Sequence, residues 1–175
     1  FDLSRIGEDD GEREIMFAAM NSLSNAGVVA DTRPLLAFLE GEAEAKSGPK
    51  GCVGYCMSGR FVMAVAAAFA DDFAAIAAYY GVGIITEESD SPHLSAAAIQ
   101  GEVYLAFAEG DVHVPEAVLR ALPGIMEQSG VTHRIEIYPG TTHGFAFPRR
   151  SAYDKPAAER HWERLFALFD RRLRA

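Results

Sequence analysis

The sequence contains little cysteine: its 175 residues include two, Cys52 and Cys56. Their C-x3-C spacing differs from the C-x-x-C spacing of redox motifs and zinc sites. If both lie on one strand, they are about 13 Å apart along it, which is too far for a disulfide bond. We therefore expect two free thiols and a reducing, cytoplasmic setting.

Long apolar runs and basic runs are also missing. No apolar stretch approaches the ~20 residues that a membrane-spanning helix needs, and the first residues are too polar for a signal peptide. The formal net charge is −9, and no lysine- or arginine-rich segment could follow a phosphate backbone. We therefore expect neither a membrane nor a nucleic-acid partner.

The remaining composition, 49% hydrophobic and 23% charged residues, is typical of a soluble globular protein. The length predicts a single domain over residues 1–175 with a substantial core. Apolar runs and alternation predict four strands, at 51–55, 73–80, 102–108 and 133–139. Because helical patterns separate these strands, we expect an α/β fold with a mostly parallel sheet and helices on both faces.

The helix predictions rest on periodicity and on capping residues. A first helix is expected at 12–24, and a second begins near Asp31 or Thr32 with Pro34 in its first turn. Further helices are expected over the alanine-rich segment after residue 60, over 114–130 with Pro123 as a candidate interruption, and over 154–173. In the last of these, one apolar stripe is expected to belong to the core: Trp162, Leu165, Phe166, Phe169 and Leu173.

Three reactive residue types follow three of the predicted strands. Cys56 ends the first strand, Asp111 follows the third, and His143 lies just past the fourth. Because the carboxyl ends of parallel strands share one edge of a sheet, we expect these side chains to meet. Their order of nucleophile, acid and histidine is that of hydrolases with a nucleophile elbow.

The surroundings of Cys56 also fit such an elbow. A strained strand-to-helix turn needs small neighbours, and Gly54 and Ser58 flank the cysteine at minus two and plus two. His143 would accept the thiol proton, Asp111 would hold the imidazole, and the thiolate would attack a carbonyl. The backbone N–H of Met57, at the start of the next helix, is the expected oxyanion donor.

Each residue also has an ordinary structural interpretation. Cys56 could be a buried packing thiol, and Asp111 could be a loop acid or a helix cap, with Glu109 as a competitor for the triad position. The other four histidines are scattered and form no H-E-x-x-H or paired motif. We therefore predict no metal and no cofactor.

The segments GCVGYCMSGR, AAYYG, AEGDVHVP and YPGTTHGFAFPRR resemble the dienelactone hydrolases of the α/β-hydrolase fold, from about residue 30 to the C-terminus. The resemblance implies hydrolysis of a small ester or lactone of the carboxymethylenebutenolide type, in aromatic-compound degradation. It also implies an acyl-cysteine intermediate and the triad Cys56, Asp111 and His143. We expect a small-molecule ester or lactone as the substrate, and a monomer or a homodimer as the oligomeric state.

The sequence departs from the family pattern in two ways: at a position that binds the substrate, and in the first strands of the fold. Family members that act on dienelactone carry an arginine where this chain has Phe147, with Arg149 and Arg150 as nearby substitutes. Tyr80 and Phe145 are further candidates for substrate binding, together with Phe147 and Arg149. The family's first strands are not recognisable in residues 1–30, so we expect either a preceding segment outside this sequence or a partner that completes the sheet.

Three other functions remain open at this point. The chain could be a general carboxylesterase or thioesterase for a less anionic substrate, as Phe147 suggests. It could be a binding module that has lost catalysis with the missing strands. A redox-sensing role for Cys56 is the third, although no resolving cysteine is suitably placed.

Overall fold

The computed structural model describes Arg5 and residues 7–174. The polar start that argues against a signal peptide lies partly outside them. The helices are α1 (Asp10–Asn21), α2 (Asn25–Gly41), α3 (Ser58–Ala68), α4 (Glu116–Ser129) and α5 (Lys155–Leu173). The strands are β1 (Lys50–Tyr55), β2 (Phe73–Tyr79), β3 (Glu102–Ala108) and β4 (His133–Tyr138), and a 3₁₀ helix spans Pro92–Ala98.

The four strands form one parallel sheet in the order β1-β2-β3-β4. Each lies within one or two residues of its predicted position. Strands β2 and β3 are apolar and almost fully buried, as expected for parallel strands with helices on both faces. The parallel register brings the carboxyl ends of all four strands to one edge of the sheet.

Two hydrophobic cores lie on the two faces of the sheet. On one face, α2, α3, α4 and the 3₁₀ helix surround Met63, Leu122 and Met126, which are fully buried. On the other face, α5 packs against β1, β2 and β3 through Leu165 and Leu168.

The second helix begins earlier than predicted. Ser24 caps it by accepting a hydrogen bond from the Gly27 N–H at 3.0 Å. Thr32, which we expected near the start of a helix, lies inside it and donates its hydroxyl hydrogen to the Val28 carbonyl at 2.8 Å. Pro34 is therefore an interior residue of the helix, and the prediction of a start at 31 or 32 is wrong.

The α4 helix runs without a break through Pro123. Leu122 and Met126 flank this proline and are fully buried, so tertiary packing holds the helix where local propensity disfavours it. The helix ends at Gly130, whose φ of 73° lies in the left-handed region that suits glycine.

Part of the predicted core stripe of α5 lies at the surface. Leu165 is buried, but Trp162 and Phe166 are 43% and 59% exposed and stack on each other at 5.7 Å. Because both rings are exposed, the prediction that they belong to the core is wrong. In the described part of the chain, no helix is long and apolar enough to span a membrane.

Candidate active site

Cys56 lies in a strained turn between β1 and α3. Its φ is +54°, in the left-handed region that non-glycine residues rarely occupy. A Cβ atom on Gly54 would lie 2.4 Å from the Ser58 carbonyl oxygen, and one on Gly59 would lie 2.5 Å from the Gly81 Cα. Only glycine fits at both positions, which is the steric requirement of an elbow.

Ser58 stabilises this turn through its side chain. Its Oγ accepts a hydrogen bond from the Tyr55 N–H at 2.7 Å and lies 2.7 Å from the Tyr55 carbonyl oxygen, to which it donates. The hydroxyl thereby satisfies backbone groups at the point where the strand pairing ends. This explains how a serine serves at a position where the elbow pattern has glycine.

Asp111 and His143 meet at the carboxyl ends of β3 and β4. His143 Nδ1 lies 2.9 Å and 3.0 Å from the two carboxylate oxygens of Asp111. The Asp111 side chain is fully buried and also accepts a hydrogen bond from the His113 N–H at 2.9 Å. The competitor Glu109 instead accepts a hydrogen bond from the Gly140 N–H at 2.8 Å, so it holds the neighbouring loop.

The Cys56 thiol lies close enough to the His143 ring for the two groups to shift each other's pKa. The hydrogen bonds to Asp111, followed by the one to Cys56, raise the pKa of His143 to about 9. The hydrogen bond from His143 lowers the pKa of the Cys56 thiol, with smaller contributions from the Met57 N–H and from the charge of Arg150. These shifts favour a thiolate–imidazolium pair, which is the form of cysteine that attacks carbonyl carbons.

A cleft of about 680 Å³ opens above Cys56. Among the predicted site residues, five line it: Cys56, Met57, Tyr80, His143 and Phe147. Phe145 does not, because it is fully buried beneath Tyr80 and stacks on Tyr138 at 4.8 Å. Arg149 is exposed outside the cleft, and Arg150 lines it instead. The prediction that Phe145 and Arg149 contact a ligand in this cleft is therefore wrong.

The cleft wall contains several residues besides the predicted ones. Phe17 and Met20 of α1 line it, as do Tyr55, Arg60 and His113. The sequence does carry a signal for two of them, because Tyr55 directly precedes Cys56 and His113 lies two residues after Asp111. Nothing in the sequence of α1 indicated its contact with the cleft, because that contact depends on how the helix packs.

Tyr55 is held from below by a buried histidine. Its hydroxyl lies 2.6 Å from His161 Nε2, and His161 is 1% exposed. His161 Nδ1 lies 3.2 Å from the Ala158 carbonyl oxygen, which can only accept, so Nε2 accepts the hydrogen of the Tyr55 hydroxyl. The Tyr55 ring in turn supports Phe147 at 5.0 Å between centroids.

The net charge of the cleft wall is opposite in sign to the net charge of the whole chain. The sequence carries 25 acidic and 16 basic side chains, but Arg60 and Arg150 line the cleft and, among the described residues, no carboxylate does. The described residues also contain no group of three or more histidine, cysteine or acidic side chains that could hold a metal ion.

Comparison with known proteins gives a consistent family. The profile described as the dienelactone hydrolase family matches residues 3–173. A Synechocystis protein provisionally named carboxymethylenebutenolidase is 28% identical over 86% of this chain and 62% of its own length. The mouse carboxymethylenebutenolidase homolog is 32% identical over 62% of this chain and 43% of its own. The chain thus spans roughly half of these curated relatives.

Solved structures of similar proteins have the same fold. A provisionally named dienelactone hydrolase from Klebsiella pneumoniae superimposes with a TM-score of 0.76 at 22% identity, covering 85% of this chain and 62% of the other. A second structure, called m3DLH, has a TM-score of 0.76 at 23% identity, covering 91% and 68%. The predicted α/β-hydrolase fold is confirmed.

Proposed function

This chain belongs to the dienelactone hydrolase family, and from that premise we propose that it hydrolyses a small ester or lactone through Cys56, His143 and Asp111. The observation that carries the proposal is the pairing of the buried Asp111 with His143 Nδ1 at 2.9 Å, in a cleft that His143 shares with Cys56. The strained backbone of Cys56 and the cleft above it support the same assignment.

In the acylation half, the Cys56 thiolate attacks the carbonyl carbon and the carbonyl π electrons move to the oxygen. The Met57 N–H, which helps to lower the pKa of the Cys56 thiol, donates a hydrogen bond to this oxyanion. Collapse of the tetrahedral intermediate breaks the ester bond and leaves an acyl-cysteine. The leaving oxygen takes the proton from the His143 imidazolium; in a lactone it remains attached to the acyl group.

In the second half, water restores the enzyme. Neutral His143 takes a proton from a water molecule, whose oxygen attacks the thioester carbonyl. The new intermediate expels the Cys56 thiolate and releases a carboxylic acid, and His143 keeps the proton as imidazolium. Asp111 supports both halves because its carboxylate keeps the Nδ1 hydrogen in place and stabilises the positive ring.

The cleft favours a substrate with an anionic group. Arg60 and Arg150 supply positive charge to a wall that also holds several aromatic rings and the polar side chains of Asn21 and His113. Phe147, from which we expected a less anionic substrate, contributes a ring that is 41% exposed. A carboxylate-bearing lactone of the kind named for the two curated relatives would use both features. A general esterase for neutral substrates is the alternative.

Hydrolysis by three proteins tests the catalytic proposal: wild type, Cys56→Ala and Cys52→Ala. Burial raises the pKa of Cys52 to about 12, so this second thiol is an unreactive matched control. We expect Cys56→Ala to abolish turnover of a p-nitrophenyl ester and Cys52→Ala to retain it. Activity that persists in Cys56→Ala would refute the acyl-cysteine mechanism.

The charge preference is tested with two substrates, a neutral aryl ester and an aryl ester that carries a carboxylate. We expect Arg150→Gln to raise KM for the anionic substrate about tenfold, since a hydrogen bond to a charged group is lost, and to change KM for the neutral one little. Equal effects on both substrates would favour the neutral-esterase alternative. A wild-type chain that hydrolyses neither ester would favour the binding-module hypothesis instead.

A further inference from the structure

We propose that the hydroxyl of Tyr80 donates a hydrogen bond to an oxygen of the acyl group that reacts at Cys56. This inference rests on the proposed hydrolase function and deepens it, because it assigns to Tyr80 a specific contact with the reacting group. Two independent features of Tyr80 carry it: a strained backbone and a buried hydroxyl without a partner.

The backbone of Tyr80 is strained together with that of Cys56. In the described part of the chain, these two are the non-glycine residues with positive φ, +40° and +54°. Strained residues of this kind persist where the surrounding structure holds them, and they cluster at active sites. Here the Tyr80 N–H donates to the Ala106 carbonyl at 2.6 Å, which fixes the residue at the end of β2.

The same hydrogen-bond pattern ties this turn to the elbow. The Cys56 N–H donates to the Tyr79 carbonyl at 3.1 Å, and the Val82 N–H donates to the Cys56 carbonyl at 3.1 Å. The residues before and after the turn at Tyr80 and Gly81 are thus bonded to the candidate nucleophile. The position of the Tyr80 side chain relative to Cys56 is therefore set by the backbone.

The hydroxyl of Tyr80 has no hydrogen-bond partner among the described residues, although the residue is 1% exposed. Its ring lies in the cleft wall, edge-on to His143 at 4.9 Å and to Phe145 at 5.3 Å. Burial raises the pKa of the phenol well above its ordinary value, so the group stays protonated and can donate. A buried hydroxyl is ordinarily satisfied within the protein. This one is closed to water in the free structure, and an acyl oxygen that displaces its neighbours on binding would satisfy it.

The neighbouring Tyr79 is a matched control. It is equally buried, but its hydroxyl donates to the His161 carbonyl at 3.0 Å. Replacing each tyrosine by phenylalanine removes one hydroxyl and little else. The two variants should therefore separate a hydroxyl that stabilises the fold from one that serves the substrate.

The experiment measures kcat, KM and the urea unfolding midpoint for Tyr80→Phe and Tyr79→Phe. We expect Tyr80→Phe to lower kcat/KM about 10- to 100-fold, less than the loss of a strong oxyanion donor, while its unfolding midpoint stays equal or rises. Tyr79→Phe should show the opposite: a lower midpoint and kcat/KM within about threefold of wild type, since only a structural hydrogen bond is lost.

Two results would overturn the inference. One is Tyr80→Phe with kcat/KM within twofold of wild type; the other is a midpoint that falls as far as that of Tyr79→Phe, because the hydroxyl would then have a structural partner. Failure of the proposed function has a different signature, namely hydrolysis that survives in Cys56→Ala. The pair of variants at 56 and 80 therefore distinguishes the two failures.

Discussion

Replacement of Asp111 by asparagine should disable the site without changing its shape. The Asp111 carboxylate accepts hydrogen bonds from His143 Nδ1 and from the His113 N–H. An asparagine has one oxygen, so its NH₂ group must face one of these two donors. If it faces His143, the ring hydrogen moves to Nε2, and His143 can no longer accept the proton of Cys56.

The magnitude follows from the pKa of His143, which is raised from 6.5 to about 9. At 1.36 kcal/mol per pKa unit, this corresponds to about 3 kcal/mol of preferential stabilisation of the imidazolium. The His143 side chain is 15% exposed, so solvent screens this interaction little. The hydrogen bonds to Asp111 are the largest cause, so Asp111→Asn should lower the pKa of His143 and consequently raise that of Cys56.

The assay is the rate of Cys56 alkylation by iodoacetamide between pH 5 and pH 10, together with kcat/KM. In the wild type, the midpoint of the rate should lie below the ordinary cysteine pKa of 9.0; in Asp111→Asn it should move upward toward that value. We expect kcat/KM to fall by about 10³- to 10⁴-fold, as when a triad carboxylate is neutralised.

Glu109→Gln is the control for this experiment, because it neutralises a carboxylate two positions away that bonds Gly140 rather than His143. It should leave both the alkylation profile and kcat/KM close to wild type. The reasoning is refuted if Asp111→Asn keeps the wild-type profile, or if Glu109→Gln shifts it as strongly.

Three further outcomes follow from the packing around the site. Gly54→Ala would place a Cβ 2.4 Å from the Ser58 carbonyl oxygen. We expect the free energy of unfolding in urea to fall by about 1–3 kcal/mol and the folded fraction to lose hydrolysis. An unchanged unfolding midpoint would contradict this prediction. His161→Phe removes the acceptor of the Tyr55 hydroxyl and should raise KM more than it lowers kcat. His133→Phe is the control and should not show this pattern. Parallel changes in KM and kcat for both variants would contradict a role of His161 in shaping the cleft. Burial raises the pKa of Glu136, but hydrogen bonds from Tyr104, Arg160 and Arg164 outweigh it and lower that pKa below 4.5. Its contribution to stability is therefore present above pH 4.5 and is lost as the pH falls through the lowered value. Glu136→Gln should unfold more easily at pH 7 by about 1–3 kcal/mol and lose part of the acid sensitivity, as measured by urea unfolding at pH 7 and below pH 4.

Local features could be predicted where neighbouring residues alone decide the conformation. The bounds of β3 are predictable from the sequence because six consecutive apolar or aromatic residues follow Glu102, with Gly101 before the strand and Gly110 two residues after it. The start of α2 was missed because Thr32 bonds a carbonyl within the helix instead of capping a new one. Pro123 is a candidate interruption in the sequence because its penalty is local, whereas the burial of Leu122 and Met126 that outweighs it is tertiary.

The order of the reactive residues after the parallel strands, the glycines of the elbow and the family can all be predicted from the residues alone. These depend on residue type and spacing, which the chain carries locally. Packing between distant segments brings Arg150 rather than Arg149 to the cleft, buries Phe145 against Tyr80, and places His161 beneath Tyr55. The physical reason is distance along the chain. A contact between residues that lie up to 106 positions apart depends on how α5 packs on the sheet, and no local pattern records that packing.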